Sequence, residues 1–192
     1  AAFTTSTGYG IAKYDNPEEL SVSDRNNIGY QYTDCPLYWI SVIYLNFAEA
    51  KAEMGSLTQD DLNNSINKLQ ARAGLPAMTT TPDADPANNM GVSNLIWEIR
   101  RCRRCELIMD NWYRYWDLIR WHQLDKLDST KYPNTMLGAN VSNVPDCEEA
   151  TKNGYIDASD AQIRTYEAKH YFYPIPTTQL TLNKNMKQNP GW

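Results

Sequence analysis

Histidine is scarce in this 192-residue chain, and long apolar runs and any surplus of basic charge are missing from it. No apolar stretch approaches the roughly 20 residues that cross a bilayer as a helix. No charged, apolar, small-residue leader opens the sequence either, so the chain is expected either to stay inside the cell or to be part of a longer exported protein. Eighteen Lys and Arg stand against 23 Asp and Glu, a formal net charge of −5. That balance opposes nucleic acid, which is held by neutralising phosphates. The two histidines, His122 and His170, leave little material for a triad or a metal cage. G-x-S-x-G, H-E-x-x-H, G-x-G-x-x-G and G-x-x-x-x-G-K-[ST] are absent. A glycosidase needs only two carboxylates, so counting does not exclude one, but no pattern singles out a pair. Phe is scarce as well, three against thirteen Tyr, six Trp and eighteen Asn. Aromatics with polar tips beside amides suit wet surfaces that touch polar ligands.

Four cysteines, Cys35, Cys102, Cys105 and Cys147, are too few for a disulfide scaffold. Cys102 and Cys105 form a C-x-x-C, a pattern used by zinc and redox sites. No second pair or nearby histidine completes a zinc set, and the pair lies in an Arg-rich helical stretch, so it reads as two small apolar residues on one side of a helix. A Cys35–Cys147 disulfide is open if the protein is exported.

Chain length allows one large domain or two small ones, able to bury about 70% of the unfolded surface. The sequence reads as a single domain over 1–192: a strand-and-loop lead-in over 1–35, a helical core over 36–123, a loop excursion over 124–168 and an extended segment over 169–192. Within the lead-in, Gly10 to Tyr14 and Gly29 to Thr33 look strand-like. Asp34 and Pro36 predict a helix over 36–54, buried over its first half and stopped by Gly55. Thr58 with Asp61 is a capping box. Leu62, Ile66, Leu69 and Ala73 then mark one helix face, closed by Gly74. Two such helices make a hairpin whose apolar face needs a further partner. Residues 77–91 read as loop. Asp83, Asp85, Asn88 and Asn89 invite calcium, but the glycine and the last glutamate of an EF-hand loop are absent. From Ser93 a helix carries Leu95, Ile96, Ile99, Cys102 and Met109 near a 3.6 period. After a break around Asp110-Asn111, Trp112, Tyr115, Trp116 and Ile119 mark another to about Gln123. Pro133, Gly138, Pro145 and Gly154 break up the excursion, and long loops in compact domains tend to be functional.

Arg100, Arg101, Arg103 and Arg104 resemble a nucleic-acid patch, yet Glu98, Glu106 and Asp110 at one-turn spacing absorb much of that charge. Arg114, Asp117 and Arg120, framed by Trp112, Trp116 and Trp121, fit either a cleft with cation–π contacts or a semi-buried ion-pair ladder that locks helices together. The ladder is preferred.

Several blocks together resemble the RagB/SusD family. Leu45-Asn46-Phe47-Ala48-Glu49-Ala50 and the run from Ile66 to Pro76 resemble its helical hairpin. Ile99 to Leu107, then Arg114-Tyr115-Trp116-Asp117-Leu118-Ile119-Arg120-Trp121, look like its Arg-rich helix and R-x-x-D-L-x-R-W signature. Tyr173-Pro174-Ile175-Pro176 and Gln188-Asn189-Pro190-Gly191-Trp192 resemble its ending, and Ser6-Gly8-Tyr9 with Lys13-Tyr14 its upstream strand. Five blocks in family order carry the resemblance. Cys102, Trp39 and Asn111 depart from the usual Glu, Arg and Gly. The resemblance implies a mainly α fold of tetratricopeptide-like helical hairpins with long irregular loops and a few short strands. It implies a non-enzymatic outer-membrane lipoprotein of the cell surface that needs no cofactor or metal. Such a protein binds an oligo- or polysaccharide and passes it to a TonB-dependent SusC-like transporter. It further implies that this chain is a carboxyl-terminal portion, membrane-associated only through a lipid anchor outside it. The alternative is a helical protein–protein interaction module without sugar binding. Because the matching motifs are scaffold, ligand contacts are expected in the unmatched loops: Tyr30, Tyr32, Tyr132, Asn134 and Asn140.

Overall fold

Side-chain hydroxyls open three of the helices. Ser21 accepts from the Asp24 amide at 3.1 Å, Thr58 from Asp61 at 3.1 Å and Ser93 from Ile96 at 3.3 Å, each satisfying a donor that the first turn leaves unpaired. At Thr58 the expected box is complete, since the Thr58 amide donates back to the Asp61 carboxylate at 2.9 Å. A computed structural model describes residues 5–11, 13, 18, 20–27, 36–110, 112–145, 151–159 and 161–192. Among them the helices are α1 (Val22–Asn26), α2 (Ile40–Glu53), α3 (Gln59–Asn63), α4 (Ile66–Arg72), α5 (Asn94–Glu106), α6 (Tyr113–Arg120) and α7 (Thr177–Leu182). The strands are β1 (Leu137–Asn140), β2 (Thr151–Lys152) and β3 (Tyr155–Asp157). The chain forms two compact units, one over residues 35–117 and one over 1–34 together with 118–192.

The first unit is helical. Leu45 and Ala48 of α2, Leu62 of α3, Ile66 and Leu69 of α4, Ile99 of α5, and the loop residues Met78 and Leu107 form one buried cluster. The helix expected over 36–54 begins only at Ile40, because Trp39 is extended (φ −98°, ψ 136°) and offers no side-chain cap. Nor is its first half buried all round. Ser41, Leu45, Ala48 and Glu49 form the inward stripe, while Ile40 and Ile43 are 63% and 61% exposed, since α4 and α5 pack along one side. The next helix is broken in two at Asn64 and Ser65, where the Ser65 hydroxyl donates to the Asp61 carbonyl and competes with the helical ladder. Leu62, Ile66 and Leu69 are buried as their spacing predicts, whereas Ala73 is exposed. Helices α2 and α4 end in paired Schellman bonds: Ser56 to Lys51 with Gly55 to Ala52, and Leu75 to Gln70 with Gly74 to Ala71. Helix α5 stops at Glu106, so Leu107 enters the core and Met109 lies exposed in the left-handed region at φ 63°.

Buried ion pairs tie these helices together. Arg100 Nε lies 3.1 Å from Glu49 Oε1, and its Nη2 lies 3.2 Å from Glu53 Oε1, joining α5 to α2. Arg103 Nε donates to Asp117 Oδ2 at 2.7 Å and its Nη1 to Asn46 Oδ1 at 2.8 Å, joining α5 to α6 and α2. Of the local pairings expected within α5, Arg101 with Glu98 forms, whereas Glu106 reaches Arg72 of α4. Of the expected Arg114–Asp117–Arg120 ladder, Asp117 serves Arg103 in this inter-helix lock, while the Arg120 guanidinium lies over the Trp121 ring, 4.7 Å from its centroid.

The second unit is irregular apart from α1, the end of α6, α7, several 3₁₀ turns and a three-stranded antiparallel sheet in the order β1-β3-β2. Residues 10, 11 and 13 carry no strand, and the strand expected over 29–33 lies outside the described residues. Instead the lead-in touches β1 through the Ala139 amide, which donates to the Thr7 carbonyl at 2.8 Å. At the other end the Gln188 amide brackets Ile175 like a strand partner, accepting from its N–H at 2.7 Å and donating to its carbonyl at 2.9 Å. Asn189 Nδ2 donates to the Tyr173 carbonyl at 2.7 Å, and Trp192 Nε1 to the Phe172 carbonyl at 2.9 Å. The two terminal sequence blocks are therefore halves of one clamp.

Candidate functional site

Among the described residues of the excursion over 124–168, turns satisfy one another's polar groups. Helix α6 ends at a Schellman pair, Gln123 to Leu118 and His122 to Ile119, with His122 in the left-handed region at φ 52°. A 3₁₀ turn over Leu124–Leu127 leads to buried Asp128. That carboxylate accepts from the Thr130 hydroxyl and amide and from the Tyr166 amide. These bonds, the Thr130 hydroxyl foremost, hold its pKa down at about 2. The loop closes where the Ser129 amide donates to the Arg164 carbonyl at 2.8 Å and the Arg164 amide returns to the Ser129 hydroxyl at 3.0 Å. Tyr171 then stacks against His122, with ring centroids 5.0 Å apart, and meets Tyr166 edge-on at 5.7 Å.

Within this frame lies the sheet. Asn153 and Gly154 both have positive φ, 54° and 79°, the pattern of a two-residue type I′ turn between β2 and β3. The backbone register sets Tyr155 of β3 opposite Asn140 of β1 on one side and Lys152 of β2 on the other, and residues directly opposite share a face. Tyr155 is exposed while Ile156 turns into the interior, so the row Asn140–Tyr155–Lys152 faces solvent. Asp157, two residues on, points to the same side by the strand period. Beside the row is a cavity of about 190 Å³ whose lining includes Ser129, Thr130, Lys152, Asp157, Ser159 and Gln162 together with Met136, Leu137 and Ile163. It shares Met136, Ser159, Gln162 and Ile163 with a second depression of about 410 Å³. The Ser159 hydroxyl and amide donate to Asp157, at 2.6 Å and 3.0 Å, and hold its carboxyl below the usual carboxylate range. An aromatic face with amide, ammonium and hydroxyl groups around it can stack on a sugar ring and bond its hydroxyls.

Of the five residues expected to touch ligand, Asn140 belongs to this row. Asn134 sits exposed in the 3₁₀ turn before β1. Tyr132 is half-buried, with its hydroxyl accepting from Lys126 Nζ at 2.8 Å and its ring centroid 4.5 Å from that ammonium. Tyr30 and Tyr32 lie outside the described residues, as do Cys35 and Cys147. Sequence reasoning missed Tyr155 and Lys152, although Asn153-Gly154 between them is the strongest short hairpin signal there is.

Other candidates are occupied structurally. Asp85 accepts from Trp97 Nε1 at 2.9 Å and from the Ala87 amide at 2.8 Å. Asn88 bonds the Val92 carbonyl. Cys102 and Cys105 are free thiols, and burial pushes Cys102 up to about 11. Among the described residues, no group of three His, Cys, Asp or Glu side chains could hold a metal ion, and no helix is long and apolar enough to cross a membrane.

No curated protein matches the sequence. Among solved structures, a SusD-like protein (BF3747) from Bacteroides fragilis NCTC 9343 superposes with a TM-score of 0.54 and 24% identity, over 79% of this chain and 25% of that one. BT4246 superposes with a TM-score of 0.58 and 23% identity, over 81% of this chain and 23% of that one. The chain thus spans about a quarter of the length of these relatives, and what it shares with them is the mainly helical, tetratricopeptide-like fold. The sequence profile of the SusD family matches residues 2–192, and the chain belongs to that family.

Proposed function

We propose that the protein is a non-catalytic, glycan-binding component of a nutrient-uptake system. It is held by a lipid anchor at the outer-membrane surface and delivers its ligand to a TonB-dependent SusC-like transporter. The SusD family match over residues 2–192 carries this reading. The row Asn140–Tyr155–Lys152 and the polar cavity beside it support it by offering a stacking ring among hydrogen-bonding groups. Isothermal titration of the full-length protein against oligosaccharides tests it: saturable binding with no reducing sugar released over long incubation is expected. Released sugar would make it a hydrolase. A second reading, a helical module that grips a protein, draws on the exposed Ile40, Ile43 and Phe47 of α2. It prevails if no saccharide binds while a transporter partner still does.

A further inference from the structure

Two side-chain amides of α4, one helical turn apart, meet different fates. Asn67 brackets Met78, accepting from its N–H at 2.7 Å and donating to its carbonyl at 3.1 Å. Gln59 Nε2 donates to the same carbonyl at 3.0 Å. Gln70 is buried as deeply as Asn67, each 9% exposed, yet its side-chain amide makes no hydrogen bond with any described residue. Such a group is rare in a folded protein, because it has given up water without gaining a partner. It lines a cavity of about 620 Å³ that lies wholly within the first unit, inside the range of about 300–1,000 Å³ typical of ligand pockets. The Leu75 amide donates to the Gln70 carbonyl at 2.9 Å, and this turn brings Leu75, Pro76 and Met78 to the same space.

No Phe, Tyr or Trp lines the cavity, so a bare sugar face finds no flat ring to stack on, unlike at Tyr155. Its apolar wall is aliphatic, with Leu75 56% exposed beside Pro76, Met78 and Pro82. Among the charged wall residues, Arg101 bonds Glu98 at 2.6 Å, and Asp85 accepts from the Trp97 indole and the Ala87 amide. Thr79, Thr81 and Asp83 are exposed and can bond ligand hydroxyls. The cavity therefore suits a ligand with a donor and an acceptor side by side, next to a small apolar group. An acetamido sugar has all three. Its N–H can donate to the Gln70 oxygen, the neighbouring ring hydroxyl can accept from the Gln70 N–H group, and its methyl can cover aliphatic wall. Resting on the glycan-binding reading, we propose that this cavity is a second saccharide site, taking an N-acetylated amino sugar on Gln70 and Leu75.

The test titrates the full-length protein with paired neutral probes that differ by acetamido against hydroxyl. The pairs are chito- and cello-oligosaccharides, N-acetyllactosamine and lactose, and N-acetylgalactosamine and galactose, with trialanine as a peptide control. Tighter binding of the acetylated member is expected in at least one pair. Gln70→Met keeps the side-chain shape and weakens that member about tenfold, the scale of one or two hydrogen bonds. Because the lost amide has no partner inside the protein, the melting midpoint of Gln70→Met is expected not to fall. Leu75→Ser, at an exposed position, narrows the lead of the acetylated member over its twin and serves as the second variant. Equal affinity within every pair overturns the inference while the glycan reading stands on the binding itself. An acetamido preference indifferent to both substitutions places that ligand elsewhere and also overturns it. A lowered midpoint for Gln70→Met would make the amide structural, and trialanine binding lost in that variant would make the cavity a peptide site; either result overturns it. Absence of binding to every saccharide overturns the glycan reading as well.

Discussion

Arg103 and Asp117 are both buried and bonded at 2.7 Å, so neither can lose its partner cheaply. Asp117→Ala leaves the guanidinium charged and dry, bonded to Asn46 and with the Tyr113 ring centroid 5.9 Å from its centre. A loss of about 3–5 kcal/mol is expected, read from urea midpoints. The double change Arg103→Met with Asp117→Leu removes both charges and is expected to cost less than Asp117→Ala alone; a larger loss would refute this account of the pair. Trp112 presents the opposite case. Its φ of 60° is strained for a bulky residue, and its side chain is 81% exposed, so the strain is not offset by burial. Trp112 also stands where α6 begins, with its carbonyl accepting from Tyr115 and Trp116, a position that glycine tolerates. Trp112→Gly is therefore expected to raise the thermal midpoint, by an amount equivalent to about 1 kcal/mol. A lowered midpoint would mean the ring makes contacts that its exposure hides.

At the scale of elements, stops and caps were readable and breaks were not. Thr58-x-x-Asp61 forms the box that its spacing promises, and Gly55 and Gly74 end their helices because the helical carbonyls there need αL partners. The interruption at Ser65 left no such sign, since the apolar spacing of Leu62, Ile66 and Leu69 continues through it. In the excursion, proline and glycine content pointed to loop, while the one local hairpin signal, Asn153-Gly154, marks where the sheet folds back. That turn offers a sharp test. Gly154 has φ 79°, and a β-carbon added there would sit 2.1 Å from the Ser142 hydroxyl oxygen. Gly154→Ala is expected to cost roughly 1–3 kcal/mol in local stability, read as faster amide exchange at Tyr155 and Ile156. The α2 to α5 core should keep its protection; exchange that speeds up equally in both would disprove a local effect.

Over the whole molecule, the family blocks turn out to be the parts with an inward job. The Arg-rich helix pairs with α2 and α6, and the closing Gln-Asn-Pro-Gly-Trp grips the Pro-Ile-Pro segment. Such contacts repeat a local pattern, so the scaffold was legible. The candidate site was legible only in part: Lys152 and Tyr155 pair across the local Asn153-Gly154 turn, whereas Asn140 joins them through a cross-strand register between distant segments, which no local spacing encodes. One bulk property follows from the scaffold's economy with carboxylates. Asp61, Asp85, Asp128 and Asp157 all titrate below the ordinary value, each because hydroxyl, indole or amide donors bond the charged form. A carboxyl depressed in the folded state binds fewer protons there than in the unfolded chain, whose value is about 3.9. Its stabilising effect is thus complete above about pH 5 and is lost as pH falls toward the folded value, about 2 for Asp128. Urea midpoints are expected to be flat from pH 7 to 5 as far as these groups are concerned, then to drop steadily between pH 4 and 2. Asp128→Asn is expected to lower the midpoint at pH 7 and to fall less steeply below pH 4, so that the two curves converge in acid. Parallel curves would show that the bonds around Asp128 do not depend on its charge.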